Sequence, residues 1–195
     1  MIKKMILAAG LLLGTVGLYA EVPGGELSAQ LAQVKTAQSR FTEEKHLSLF
    51  TRPLVSEGIL IFDKAAQKLR WEYQKPFAKG FIIEGKKIFR VQNGQKLPVK
   101  NALGRTAAAQ MMVWLTLDID ELVKTYRLTR EEDKLVFTPL NPANDVIAHI
   151  TVWIERSEKI PRVSAVQITE KNGDFTRFNF TQSVLNGPVP AEAFE

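Results

Sequence analysis

GILIFDKAAQKLRWEYQKPFAKGFIIEGKKIFRVQ, residues 58–92, holds four short runs rich in β-branched and aromatic residues. GILIFD (58–63), KLRWEY (68–73), KGFIIE (79–84) and KIFRVQ (87–92) are bounded by turn formers: Ser56-Glu57-Gly58, Lys75-Pro76, Glu84-Gly85-Lys86 and Asn93-Gly94. Short strands at close, even spacing, punctuated by turn chemistry, read as an antiparallel sheet. Within KLRWEY, Leu69, Trp71 and Tyr73 alternate with Arg70 and Glu72. Their side chains therefore share one face.

Working outward, LSLFTRPLV (47–55) adds a run before this block. Upstream of it, residues 27–46 are expected to form one helix. Leu27, Leu31, Val34 and Phe41 fall at offsets of a helical stripe, with Ala37 beside them. Downstream, NALGRTAAAQMMVWL (101–115) is rich in helix formers. Leu103, Ala107, Met111, Trp114 and Leu115 recur at helical spacing, so a second helix is expected over 102–117. Asp118, with Glu121 three residues on, has the form of a capping box that starts a short further helix. Strand texture resumes in TYRLTRE (125–131), KLVFTPL (134–140), VIAHITVWI (146–154), PRVSAVQITE (161–170) and TRFNFTQ (176–182). Glu131-Glu132-Asp133 and Lys171-Asn172-Gly173-Asp174 read as hairpin turns.

The order is helix, about five strands, helices, then about five strands. That is an α+β plan: one large antiparallel sheet of ten or eleven strands with segregated helices. So many strands must curl or close. A curled sheet has a concave face, and the helices are the available cover for it.

The chain opens on Met1-Ile2-Lys3-Lys4, followed by an uncharged apolar run over 5–18 and then Tyr19-Ala20-Glu21. This is the pattern of a secretory signal peptide, with cleavage expected after Ala20. The run is shorter than the ~20 residues needed to span a bilayer. No cysteine follows it, so lipid attachment there is not expected. Residues 21–195 then form a single domain, and export places it in the periplasm.

Cysteine is absent and there are two histidines, His46 and His149. That argues against a thiol nucleophile or a zinc site. Net charge is +5 and unevenly placed. Residues 45–105 carry 13 Lys and Arg against 4 Asp and Glu, whereas residues 106–195 carry 9 against 13. A basic half can steer towards acidic partners or anionic lipid; export argues against nucleic acid as a partner, and none is expected. The same lysines also suit a solvated strand face that protects sheet edges.

The chain carries no GxSxG, no HExxH, no phosphate-binding loop and no dinucleotide fingerprint. The protein is therefore not expected to be an enzyme or to need a cofactor. What stands out is apolar and aromatic supply. A concave sheet lined by such residues under a helical cover can hold an acyl chain. The strand candidates for that lining are Leu49, Ile59, Ile61, Leu69, Trp71, Tyr73, Phe81, Ile83 and Phe89. The helical insert adds Met111, Trp114 and Leu115. By composition alone, a dry packed core is the simpler account of the same residues.

Phe41-Thr42-Glu43-Glu44-Lys45, Ser56 to Phe62, the RWEY…P block at Arg70 to Pro76 and Ile82-Ile83-Glu84-Gly85-Lys86 together resemble the periplasmic outer-membrane lipoprotein carriers, the LolA-like family. The ending, Phe178-Asn179-Phe180 and then Asn186 to Phe194, looks like that family's last strand and tail. The resemblance implies an incomplete β-barrel lidded by helices. It also implies a cavity that takes lipoprotein acyl chains from an inner-membrane transporter to an outer-membrane acceptor, by a monomer that does no covalent chemistry. Trp71 matches the family's tryptophan, and Leu69 falls where an aromatic lies near the lid. Glu84 replaces an Asp. Where the family has an Arg-Pro that latches the lid, the nearest cation here is Lys64, which lacks the planar fork of Arg. These departures leave open a divergent carrier, or a sensor, for another amphiphile such as a glycolipid or a lipid-linked pigment. A secreted hydrolase with dispersed carboxylates is the remaining rival.

Overall fold

The computed structural model describes residues 25–99, 113–114, 117–157 and 160–195. The expected signal peptide, Met111 and Leu115 lie outside the described residues. So does most of the expected 102–117 helix, of which Val113 and Trp114 are helical.

Among the described residues, eleven antiparallel strands form one sheet. In chain order they are β1 (Thr36–His46), β2 (Leu54–Asp63), β3 (Lys68–Lys75), β4 (Lys79–Glu84), β5 (Lys87–Gln92), β6 (Gln95–Pro98), β7 (Tyr126–Glu131), β8 (Lys134–Pro139), β9 (Ile147–Glu155), β10 (Arg162–Glu170) and β11 (Phe175–Leu185). The spatial order is β6-β5-β4-β3-β2-β1-β11-β10-β9-β8-β7. Every neighbour but one is therefore joined by a hairpin or short connection. The exception is the central β1–β11 pair, which brings the two ends of the domain together. Among the described residues, β6 and β7 are the two edges without a further strand, and the curled sheet does not close. The α+β plan with a single open sheet is the one the sequence predicts.

The expected helix over 27–46 is corrected. Only Gly25–Leu31 is helical (α1), and Thr36–His46 is a strand. Leu27 and Leu31 do form one helical face, and both are buried. Beyond them the pattern changes to period two: Ala37, Ser39, Phe41 and Glu43 face the same side. Two of those four positions are polar, which hides the alternation. The short helix α2 (Ile119–Leu122) begins where expected. The Asp118 side chain accepts the Glu121 N–H at 3.1 Å, satisfying one of the orphan donors of the first turn.

Both faces of the sheet carry packing. On the inner face, α1, Trp114, Leu117 and α2 cover β7 to β10, where Leu128, Leu135, Phe137, Ile150 and Val152 are buried. Also on the inner face, β1 to β5 hold an aromatic cluster built on Phe41 and Trp71. On the outer face, residues 186–195 run back over β3 to β5. Phe194 is buried there with Ile82 and Val91. The Arg70 guanidinium donates to the Ala193 carbonyl at 2.9 Å, and the Lys96 ammonium donates to the Phe194 carbonyl at 3.0 Å.

Candidate functional site

The inner face is defined by register. Phe62 lies opposite Leu69, Leu60 opposite Trp71 and Gly58 opposite Tyr73. Leu69 and Trp71 in turn face Ile83 and Phe81 on β4. On the other side of β2, Ala37 lies opposite Phe62 and Phe41 opposite Gly58. Phe180 of β11 lies opposite Phe41, and Val166 of β10 opposite Phe178. A continuous row of side chains thus crosses from β4 to β10.

This row does not pack evenly. Phe41, Trp71, Tyr73 and Phe178 close on one another at centroid distances of 4.3 to 6.4 Å. The helices close over β7 to β9. Between the two packed zones a cavity of about 470 Å³ remains. That lies within the ~300–1,000 Å³ range of ligand clefts.

Its walls come from every element at the centre of the sheet. Leu31 and Val34 close it from α1 and the turn after it, and Trp114 and Leu117 from the chain before α2. Leu60, Phe62, Val152, Val163, Val166, Phe180 and Leu185 line it from the strands. The hydroxyls of Ser39 and Ser183 bond each other at 2.8 Å, a self-satisfied polar spot among the apolar strand residues of the wall. Charge gathers at Lys64, Asp118, Asp120 and Arg162. Lys64 and Arg162 sit at the strand ends where β2 finishes and β10 begins. Arg162 is held by Glu155, and Asp118 is engaged as the cap of α2. The ammonium of Lys64 donates to the Ala32 carbonyl at 3.3 Å, and its backbone N–H to the Lys35 carbonyl at 2.8 Å. It therefore ties the end of β2 to the turn between α1 and β1.

Among the lining residues expected from the sequence, Trp114 lines the cavity. Leu69, Trp71, Tyr73, Phe81 and Ile83 are on the inner face but inside the aromatic cluster. Leu60 and Phe62 belong to both that cluster and the cavity wall. Ile59 alternates with them, while Ile61 and Phe89 pack against the tail on the outer face. The phase of β2 is thus one residue away from the expected one; a one-residue shift moves every side chain to the opposite face. Leu49 stands on the β1–β2 connection, 90% exposed, away from the cavity. The wall residues missed in the sequence include Leu60, Phe62, Val163, Val166 and Phe180. The signal for the first two was present: pairing the KLRWEY alternation across the 64–67 turn puts Phe62 opposite Leu69.

Glu43 is the buried carboxylate of this face, 5% exposed, and the Lys45 ammonium lies 3.3 Å from it. Burial, reinforced by the Glu43 charge, pushes the Tyr73 phenol up to about 12. Tyr73 is therefore neutral at any physiological pH. His46, at the end of β1, stacks on Phe175 at 4.2 Å and contacts Glu44 at 3.2 Å, a structural placement remote from the cavity.

Residues 32–195 match the family model described as outer membrane lipoprotein carrier protein LolA. An uncharacterized conserved protein from Thermus thermophilus superimposes with a TM-score of 0.55 at 12% identity, over 87% of this chain and 91% of that one. A chain of the Pseudomonas aeruginosa MucA/MucB complex does so with a TM-score of 0.51 at 15% identity, over 87% of this chain and 58% of that one. At such identities these likenesses speak to the fold alone. No curated protein matches the chain in sequence.

Proposed function

The chain belongs to the outer membrane lipoprotein carrier family LolA, and from that premise we propose that it is a periplasmic carrier that buries the acyl chains of a lipoprotein in the central cavity and moves them from the inner to the outer membrane. The observation that carries this reading is the apolar cavity of about 470 Å³ left between the aromatic cluster and the helices. A dry core would fill that space, since interiors pack to near-crystal density. Acyl burial supplies ~0.8 kcal/mol per CH₂. The driving force therefore grows with chain length and needs no covalent step.

Transfer also needs release. Among the described residues, the helices that cover the cavity are short: α1 has seven residues and α2 has four. Helices of this length have little stability of their own, so their hold depends on the same apolar surface that the cargo would displace. Lys64 holds this cover at its mouth through one ammonium–carbonyl contact at the exposed rim, a weak latch suited to opening. The donor is then an inner-membrane transporter and the receiver an outer-membrane acceptor, with the carrier a monomer between them.

The test is direct. Protein processed on export is purified and analysed by native mass spectrometry, then offered a lipoprotein from inner-membrane vesicles. Bound diacyl or triacyl species, and capture of the lipoprotein into the soluble fraction, are expected. A protein that is empty and also extracts nothing sinks the reading. If the bound species is instead a glycolipid or a lipid-linked pigment, the carrier stands and the cargo changes.

A further inference from the structure

The two ends of the strands differ in character. At the end bearing Lys64 and Arg162, the connections over residues 64–67, 85–86 and 132–133 read KAAQ, GK and ED and expose no large apolar side chain. At the opposite end lie residues 47–53, 76–78, 140–146 and 171–174. There Leu49 is 90% exposed, Phe77 and Val146 73% each, and Phe50 54%. Of the ten large hydrophobic side chains exposed among the described residues, seven sit at this end, Leu54, Val55 and Leu140 being the others.

These tips form one rim. The Ser48 N–H donates to the Asp174 carboxylate at 2.7 Å, joining the 47–53 and 171–174 connections. The Lys171 N–H donates to the Val146 carbonyl at 3.0 Å, joining 171–174 to 140–146. Glu57 near the start of β2 lies opposite Lys75 at the end of β3, which places the 76–78 turn beside Leu54 and Val55. The apolar tips are flanked by cations: Arg52 follows Leu49 and Phe50, and Lys75 and Lys79 bracket Phe77. Beside the 47–53 and 76–78 tips the acids are paired: Glu57 binds Lys75 at 2.9 Å and Glu44 binds His46. Beside the 140–146 and 171–174 tips, Asp145, Glu170 and Asp174 stand against Lys171, so the cationic part of the rim is the part that carries Leu49, Phe50 and Phe77. Among the described residues, Arg52 and Lys79 have no carboxylate partner.

We propose that this rim is a docking surface for an anionic phospholipid bilayer. Water gives Leu49, Phe50 and Phe77 nothing for their exposure, and large apolar side chains gathered at one rim mark an interaction surface. The 47–53 and 76–78 tips, each beside a Lys or Arg, suit the headgroup boundary. There the apolar ends sink into the acyl edge and each cation adds ~1 kcal/mol against an anionic surface. The geometry has a consequence. The ten residues of β2 separate this rim from Lys64 by roughly 30 Å, at ~3.3 Å per residue. A docked molecule therefore holds the charged mouth of its cavity away from the bilayer, open to a second partner.

The test uses the export-processed protein with protein-free vesicles of phosphatidylcholine, or of phosphatidylcholine mixed with phosphatidylglycerol. Flotation is expected with the anionic vesicles and to weaken with salt. Leu49→Ser with Phe50→Ser and Phe77→Ser, all exposed positions, should reduce binding by about tenfold or more, and Arg52→Gln with Lys79→Gln should lower it selectively for anionic vesicles. The cavity variant Phe180→Glu should still dock. The proposal falls if the triple variant binds as the parent does, or if the parent binds neither vesicle. Capture only by membranes that retain their proteins overturns it in favour of a protein partner. Acyl loading of the parent is read in the same samples: a parent that docks but carries no acyl chain refutes the carrier reading alone.

Discussion

The rings of Phe41 and Trp71 stack at 4.3 Å, with planes 27° apart, although they stand on β1 and β3 with β2 between them. Gly58 of β2 makes this possible. It lies opposite Phe41 on one side and Tyr73 on the other. A Cβ built there would come within 2.4 Å of the Phe41 ring and 2.3 Å of the Glu72 carbonyl. The absence of a side chain leaves a slot across the strand, and the Phe41 ring fills it.

Gly58→Ala should therefore destabilise the protein by about 2 kcal/mol, within the range for overpacking a well-filled core. The clash is with backbone as well as with a ring, so relaxation is limited. Urea unfolding followed by tryptophan fluorescence checks this. A variant as stable as the parent would mean that the ring contact is not needed to close the sheet.

Two tryptophans should respond differently. Trp71 is 3% exposed inside the aromatic cluster, so Trp71→Ala should cost roughly 3–5 kcal/mol and reduce loading only through unfolding. Trp114 and Phe180 line the cavity and are half-buried. Phe180→Glu should leave the fold intact by circular dichroism while abolishing acyl loading, because an unpaired carboxylate in the wall opposes an apolar cargo. Loading and melting temperature, measured together on Trp71→Ala, Trp114→Ala and Phe180→Glu, separate core from wall.

Tyr73 gives a prediction for alkaline pH. Its folded value is raised to about 12 from the ordinary value of 10.0, through burial first and the Glu43 charge second. A raised folded value favours the protonated phenol in the native state. That stabilisation is fully present below pH ~10 and is lost as pH rises through ~12. Unfolding free energy should fall across this window in the parent, and less steeply in Tyr73→Phe. Equal slopes in the two proteins would show that Tyr73 titrates without linkage to folding.

The tail makes its own contribution. Phe194 is 4% exposed against Ile82 and Val91, on the outer face of the sheet and not in the cavity wall. Phe194→Ala should cost about 3 kcal/mol, and Arg70→Met less, with acyl loading per folded molecule unchanged. Limited proteolysis of Phe194→Ala should begin in the last ten residues. Tail cleavage that also empties the cavity would contradict the separation of the two faces.

How much of this was legible beforehand differs by element. The strands over 58–92 and 125–182 were readable, because turn formers bracket β-rich runs and each hairpin is local. The strand over 36–46 was not. Its inner positions include Ser39 and Glu43, and its partners, β2 and β11, are stretches the chain reaches only later, β11 some 140 residues on. The helical offsets of Leu27, Leu31, Val34 and Phe41 then dominate the local pattern, and tertiary pairing overrides them. The cavity wall was partly lost for a related reason. In a run such as Ile59-Leu60-Ile61-Phe62 every residue is apolar, so composition cannot say which alternate pair faces inward.

By itself, the sequence determined a one-sheet α+β domain with helices as the cover for one face, and the likeness of a lipoprotein carrier. Those features follow from local periodicity, turn chemistry and residue content. Only the tertiary structure decided which face of β2 looks inward, that Trp71 packs and Trp114 lines, and that Phe194 seals the outer face. Each depends on register between strands, and register is fixed by distant partners and by single positions such as Gly58, where the absence of a side chain is the information.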